Sequence, residues 1–158
     1  YGMQMAIIEF ARNELKLKKA TSSEFDKKGL SIIGLIDEWT KDGKIIKGTD
    51  KNLGGTMRLG SYEAKLKENS MIRKIYGKKV IKERHRHRYE VNINFKDKFE
   101  KKGMIFSGLS PDGTLPEIIE LENHPWFIGV QFHPEFKSRP LAPHPLFSSF
   151  IRASKNHK

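Results

Sequence analysis

The sequence predicts an α/β layer fold, helices packed on strands within one domain. Three observations carry this. Met3, Met5, Ala6, Ile7, Ile8, Phe10, Ala11 and Leu15 recur at helical spacing in a wide apolar stripe, the signature of a helix laid on a sheet. Short apolar runs bounded by turn residues, such as Met104–Gly108 and Leu115–Leu121, have the length of strands. In Gly129-Val130-Gln131-Phe132-His133, apolar and other residues alternate, which reads as a half-buried strand leading to a histidine. Strands interleaved with helices build layered α/β folds.

Composition bounds the rest. A chain of 158 residues suits one domain with a full core, and no repeat or second domain is visible. No apolar run reaches the length of a membrane span, and the N-terminus, Tyr1-Gly2-Met3-Gln4, has no basic leader. The chain therefore reads as the interior of a longer cytoplasmic polypeptide. There is no cysteine, which excludes disulfides and thiolate metal sites within these residues. The net charge is +11 and the pI about 9.8, but lysines occur in ones and twos with acids between them. Without a basic stripe, no specific nucleic-acid partner is expected.

Taken in order, the first helix is expected from Gly2 to about Leu17, followed by a polar loop over Ala20–Asp26. Ile32-Ile33-Gly34-Leu35-Ile36 is a strand or one helical turn, which periodicity alone does not decide. Thr40–Asn52, rich in Lys, Gly and Asp, is expected as an exposed loop, and Tyr62–Leu66 as a strand. Ser70 is placed to cap a short helix ending at Tyr76-Gly77. Phe95–Lys102 is expected to be helical and to stop at Gly103. Ser110-Pro111-Asp112-Gly113 supplies the turn between two hairpin arms. Pro145 to about Ala153 is amphipathic at helical spacing and is expected to dock back on the sheet.

Chemistry concentrates around His133-Pro134-Glu135. Proline fixes φ and is expected to hold the following residues extended, so that His133 and Glu135 point to the same side. A carboxylate so placed accepts a hydrogen bond from one imidazole nitrogen and leaves the other free to move a proton. That is the base-plus-orienter half of a nucleophilic triad. Strand alternation puts Arg84, Arg86 and Arg88 on one face and His85 and His87 on the other. Two histidines without a third ligand do not make a metal site, and none is expected. Arg58, among glycines, could cradle a phosphate, although the spacing is not that of a phosphate-binding loop.

Several runs together resemble one family. They are Gly2-Met3-Gln4, Ser23-Glu24-Phe25, Gly54-Gly55-Thr56-Met57-Arg58-Leu59-Gly60, the run from Glu83 through Arg88-Tyr89 to Asn92, His124-Pro125-Trp126-Phe127, and His133-Pro134-Glu135-Phe136. Across nearly all of residues 1–158 the chain resembles the C-terminal glutaminase domains of CTP synthases, which are class I glutamine amidotransferases of flavodoxin-like α/β fold. The resemblance implies glutamine hydrolysis through a cysteine thioester, the ammonia passing to a separate amidoligase domain that aminates ATP-activated UTP to CTP. His133 matches the base and Glu135 its orienter. Tyr1 matches an oxyanion donor through its amide. Gln4 and Glu24 match residues holding the polar atoms of glutamine, Arg88 pairs with its carboxylate, and Tyr89 adjoins through its backbone.

The resemblance also implies that ATP and Mg2+ belong to the absent synthase domain, that GTP is an effector, and that the full enzyme is a homo-oligomer, a tetramer. In the family the nucleophilic cysteine immediately precedes the residue matching Tyr1. The 158 residues are accordingly expected to be a fragment lacking the N-terminal part of the fold, inactive alone and prone to self-association through an exposed edge. The alternative is a degenerate, non-catalytic glutaminase-like interaction module.

Overall fold

The structure, a computed structural model, describes residues 1–35 and 57–157. Helix α1 (Gly2–Asn13) buries Met3, Gln4, Ile7, Ile8, Phe10 and Ala11. It stops four residues short of the expected end, and the chain turns at Lys16, whose φ is +58°. Leu15 and Leu17 still pack on the core, which is why the apolar period runs past the helix. Ala20–Ser22 is a buried strand, β1, rather than a loop. Its small residues fit under α1, and parallel pairing with β2 (Leu30–Leu35) outweighs their turn chemistry. The expected loop Thr40–Asn52, together with Ile36 and Leu53–Thr56, lies outside the described residues.

Strand β3 (Arg58–Leu66) begins four residues before the expected strand and pairs antiparallel with β4 (Val80–His87). Between them lies α2 (Met71–Tyr76). Its start is fixed by Ser70 accepting from the Arg73 N–H, and its end by Gly77 in the left-handed region. Strand β5 (Tyr89–Val91) pairs with β2, so the chain changes sheets at Arg88. The expected helix after Phe95 is split into a 3-10 turn at Ile93–Phe95 and α3 (Lys96–Glu100), with Gly103 in the turn that follows. Strands β6 (Met104–Leu109) and β7 (Pro116–Leu121) form the expected hairpin, and β8 (Ile128–Val130) pairs with β7. The chain closes with α4 (Pro145–Asn156).

The described residues form two sheets, one with order β1-β2-β5 and one with order β4-β3-β6-β7-β8. All pairings in the larger sheet are antiparallel, and β1–β2 is parallel. Adjacent residues of β7 point to opposite faces. Ile119 joins the core of α1, with Phe99 of α3, while Ile118 joins Ile72 of α2 and Leu146 of α4. The larger sheet is thus covered on both sides. Each fully buried Ile or Phe stabilises this arrangement by roughly 1.5–3 kcal/mol over exposure. Among the described residues no helix is long and apolar enough to cross a membrane.

Candidate active site

Strand β8 ends at Val130, and Gln131 and Phe132 turn inward and are buried. The backbone N–H of His133 donates to the Arg84 carbonyl at 2.8 Å, tying the segment to β4. Pro134 then opens a 3-10 turn over Pro134–Phe136, not the extended segment expected from the sequence. The φ that proline imposes serves the first turn of a helix as well as an extended chain, so the residue type does not choose between them. The turn still brings the pair together: His133 Nδ1 lies 2.8 Å from Glu135 Oε1. The imidazole stacks on Phe136, centroids 5.2 Å apart. Burial is the largest single influence on Glu135 and opposes its charge, but the hydrogen bond with His133, a backbone hydrogen bond and the His133 charge together outweigh it and hold the carboxyl below its ordinary value. With Nδ1 engaged, Nε2 is the nitrogen left for proton transfer.

His133 faces a cleft of about 770 Å³ that Tyr1, Gln4, Glu24, Arg88 and Tyr89 also line. Glu135 stands behind His133, outside the lining. The N-terminal end of α1 is uncapped by any side chain, and its first N–H groups have no intrahelical acceptor. The Tyr1 hydroxyl donates to Glu24 at 2.8 Å, and its ring stacks on Phe25. Gln4 is buried, with its amide nitrogen 2.9 Å from the Tyr89 carbonyl and 3.2 Å from Gln131 Oε1. Arg88 sits at the change of sheet and has no carboxylate partner among the described residues. A guanidinium so placed can grip a ligand carboxylate.

Alternation holds along β4. Arg84 and Arg86 are exposed and His85 is buried, while Arg88 lies past the strand's end and so escapes that register. The phosphate-cradle reading of Arg58 is corrected. Arg58 is buried and donates to Glu117 at 2.6 Å and Glu90 at 3.2 Å, because two carboxylates enclosed in the core require a cation. Burial, with the Arg58 charge, pushes the His85 pKa down to about 3 and that of His87 to about 4. Burial also raises both Glu90 and Glu117, against the pull of Arg58. Sequence reasoning missed this buried set and Gln131. The available signal was a carboxylate inside each of two apolar runs, Glu90 in Tyr-Glu-Val and Glu117 in Pro-Glu-Ile-Ile.

Residues 1–153 match the family Glutamine amidotransferase class-I. The chain is 87% identical over 158 residues to the CTP synthase of Pelagibacter ubique, covering all of this chain and 29% of that protein. It is 59% identical over 155 residues to the CTP synthase of Rhodospirillum rubrum, covering 98% of this chain and 29% of that protein. Among solved structures, the glutaminase domain of Trypanosoma brucei CTPS with bound acivicin is similar, with a TM-score of 0.83 and 32% identity. That match covers 99% of this chain and 58% of the other. The chain thus spans less than a third of the length of these curated relatives.

Proposed function

Because the chain belongs to the class-I glutamine amidotransferases, we propose that it is the glutaminase part of a CTP synthase, taking ammonia from glutamine bound in the cleft beside α1. The observation that carries this is the His133–Glu135 pair, 2.8 Å apart and presented to a cleft shared with Arg88 and the uncapped end of α1. The 158 residues contain no cysteine, so the thiolate is contributed from outside them and these residues alone do not hydrolyse glutamine. The thiolate adds to the amide carbon. His133 Nε2 gives a proton to the departing ammonia, leaving a thioester, and then takes one from the water that releases glutamate. Glu135 holds the imidazole in register throughout.

The Tyr1 amide at the positive end of α1 steadies the oxyanion. Arg88 grips the glutamine carboxylate. Glu24 and Gln4 meet its remaining polar atoms, and Tyr89 adjoins through its backbone. In this reading the ammonia passes to an amidoligase domain that uses ATP and Mg2+ to aminate UTP, with GTP as effector, in a homotetramer.

The test is transfer of label in the full-length protein. Glutamine carrying isotopic nitrogen in its amide, with ATP and UTP, is expected to give labelled CTP, and His133→Ala to abolish the transfer. Unlabelled product from the unaltered protein would contradict the reading. The second reading, a non-catalytic interaction module, is favoured by the missing cysteine and predicts no ammonia release from any form.

A further inference from the structure

Gln4 lies in the cleft at one end of a buried chain of polar contacts. Its Nε2 donates to the Tyr89 carbonyl at 2.9 Å and to Gln131 Oε1 at 3.2 Å, which engages both of its N–H groups. Gln131 Nε2 in turn donates to Glu90 Oε2 at 3.1 Å. Glu90 Oε1 accepts from Arg58 Nη1, whose other contact is Glu117. We propose that Gln131, Glu90 and Arg58 are positioning residues that fix the amide of Gln4 in one orientation, so that its carbonyl oxygen faces the cleft as an acceptor for an N–H group of the bound ligand. The inference rests on the reading of the cleft as the glutamine site.

The polarity of the chain is set from both ends. If Gln131 were reversed, its NH2 would face the NH2 of Gln4, and its oxygen would face a carboxylate oxygen of Glu90. Both clashes would be buried, where unmade hydrogen bonds are costly. This requires Glu90 to remain an acceptor beside a second buried carboxylate, and the histidines explain how it does. The Tyr89 carbonyl can only accept, so His87 Nδ1, 3.2 Å away, donates to it. Neutral His87 then accepts at Nε2 from His85 Nδ1, 2.8 Å away. Neutral His85 is left with an acceptor at Nε2, 3.6 Å from Glu117 Oε2, and that oxygen has no other partner. Both oxygens of Glu90 accept, one from Arg58 and one from Gln131, whereas Glu117 Oε2 accepts from nothing, so a proton held by this carboxyl pair sits on Glu117 and Glu90 stays the acceptor. Tyr89 accordingly accepts from both Gln4 and His87, and the amide of Gln4 cannot turn over without disturbing both branches.

The test measures KM and kcat for glutamine in the full-length protein carrying Glu90→Gln, Gln131→Met, Gln4→Ala, and each of the first two combined with Gln4→Ala. Glu90→Gln keeps the shape but can present either a donor or an acceptor to Gln131. It is expected to raise KM about tenfold, the scale of one misdirected hydrogen bond, with kcat much less affected. In the Gln4→Ala background it should add nothing, because residues acting through one group are not additive. An unchanged KM in both Glu90→Gln and Gln131→Met, or increases that persist in full without the Gln4 side chain, would overturn the positioning role while leaving the site intact. An unchanged KM in Gln4→Ala alone would overturn the glutamine reading of the cleft, and the proposal with it. Should Glu90→Gln fail to fold, Gln131→Met makes the same comparison without touching the ion pair.

Discussion

Glu135 acts on the site through its hydrogen bond to His133 Nδ1. Glu135→Gln keeps the shape but lets the imidazole choose the wrong tautomer. In the full-length protein it is expected to lower kcat by about 10²-fold with little change in KM. Steady-state kinetics check this, and a variant as fast as the unaltered protein would remove Glu135 from the machinery. The buried ion set makes a second prediction, about stability. Burial raises both carboxyls of the Glu90–Glu117 pair, so the pair binds more protons folded than unfolded, and stability falls as pH rises toward about 8. His85 and His87, lowered to about 3 and about 4, act in the opposite sense, and their contribution is lost as pH falls below about 6.5. The window from about 6.5 to about 8 therefore isolates the carboxyl pair. Urea midpoints of the full-length protein should fall across it, and Glu117→Gln, a fixed neutral substitute for the protonated acid, should flatten the slope. An equal slope in both proteins would count against a proton shared in that cluster.

Among the elements, β8 delivers His133, and its position depends on a missing side chain. A Cβ at Gly129 would lie 2.8 Å from Ile119 Cγ1 in the neighbouring strand. Gly129→Ala is expected to destabilise by about 1–3 kcal/mol through overpacking and to slow glutamine turnover by displacing the turn that follows. Thermal melts read the first effect and kcat the second; a stable, fully active variant would show that β8 tolerates the shift. Which elements were legible in the sequence follows from where their determinants lie. Helix α2 was readable because Ser70 and Gly77 are its own start and stop signals. The β6–β7 hairpin was readable from its turn chemistry. Strand β1 was not, since Ala20, Thr21 and Ser22 belong to a strand only through the partner β2 supplies. The same distinction divides the site. His133 and Glu135 are two residues apart and stood out as a pair, whereas Arg58 meets Glu90 and Glu117 across 32 and 59 residues. No local pattern encodes such a meeting.

For the molecule as a whole, the sheet covered on both faces is what gives the cleft its floor: β8 and β5 come from different sheets, and α1 spans the space between them. The residues gathered there come from α1, the turn after β1, the change of sheet at Arg88 and the turn after β8. Their convergence, implied by resemblance to a family, takes the form of one cleft. Nothing in that place is a soft nucleophile, since the 158 residues contain no cysteine. The most direct test of the account is ammonia release from glutamine by three proteins: the full-length protein, its His133→Ala variant, and the 158 residues alone. The account predicts release by the first only. Release by the isolated 158 residues, or undiminished release by His133→Ala, would contradict it.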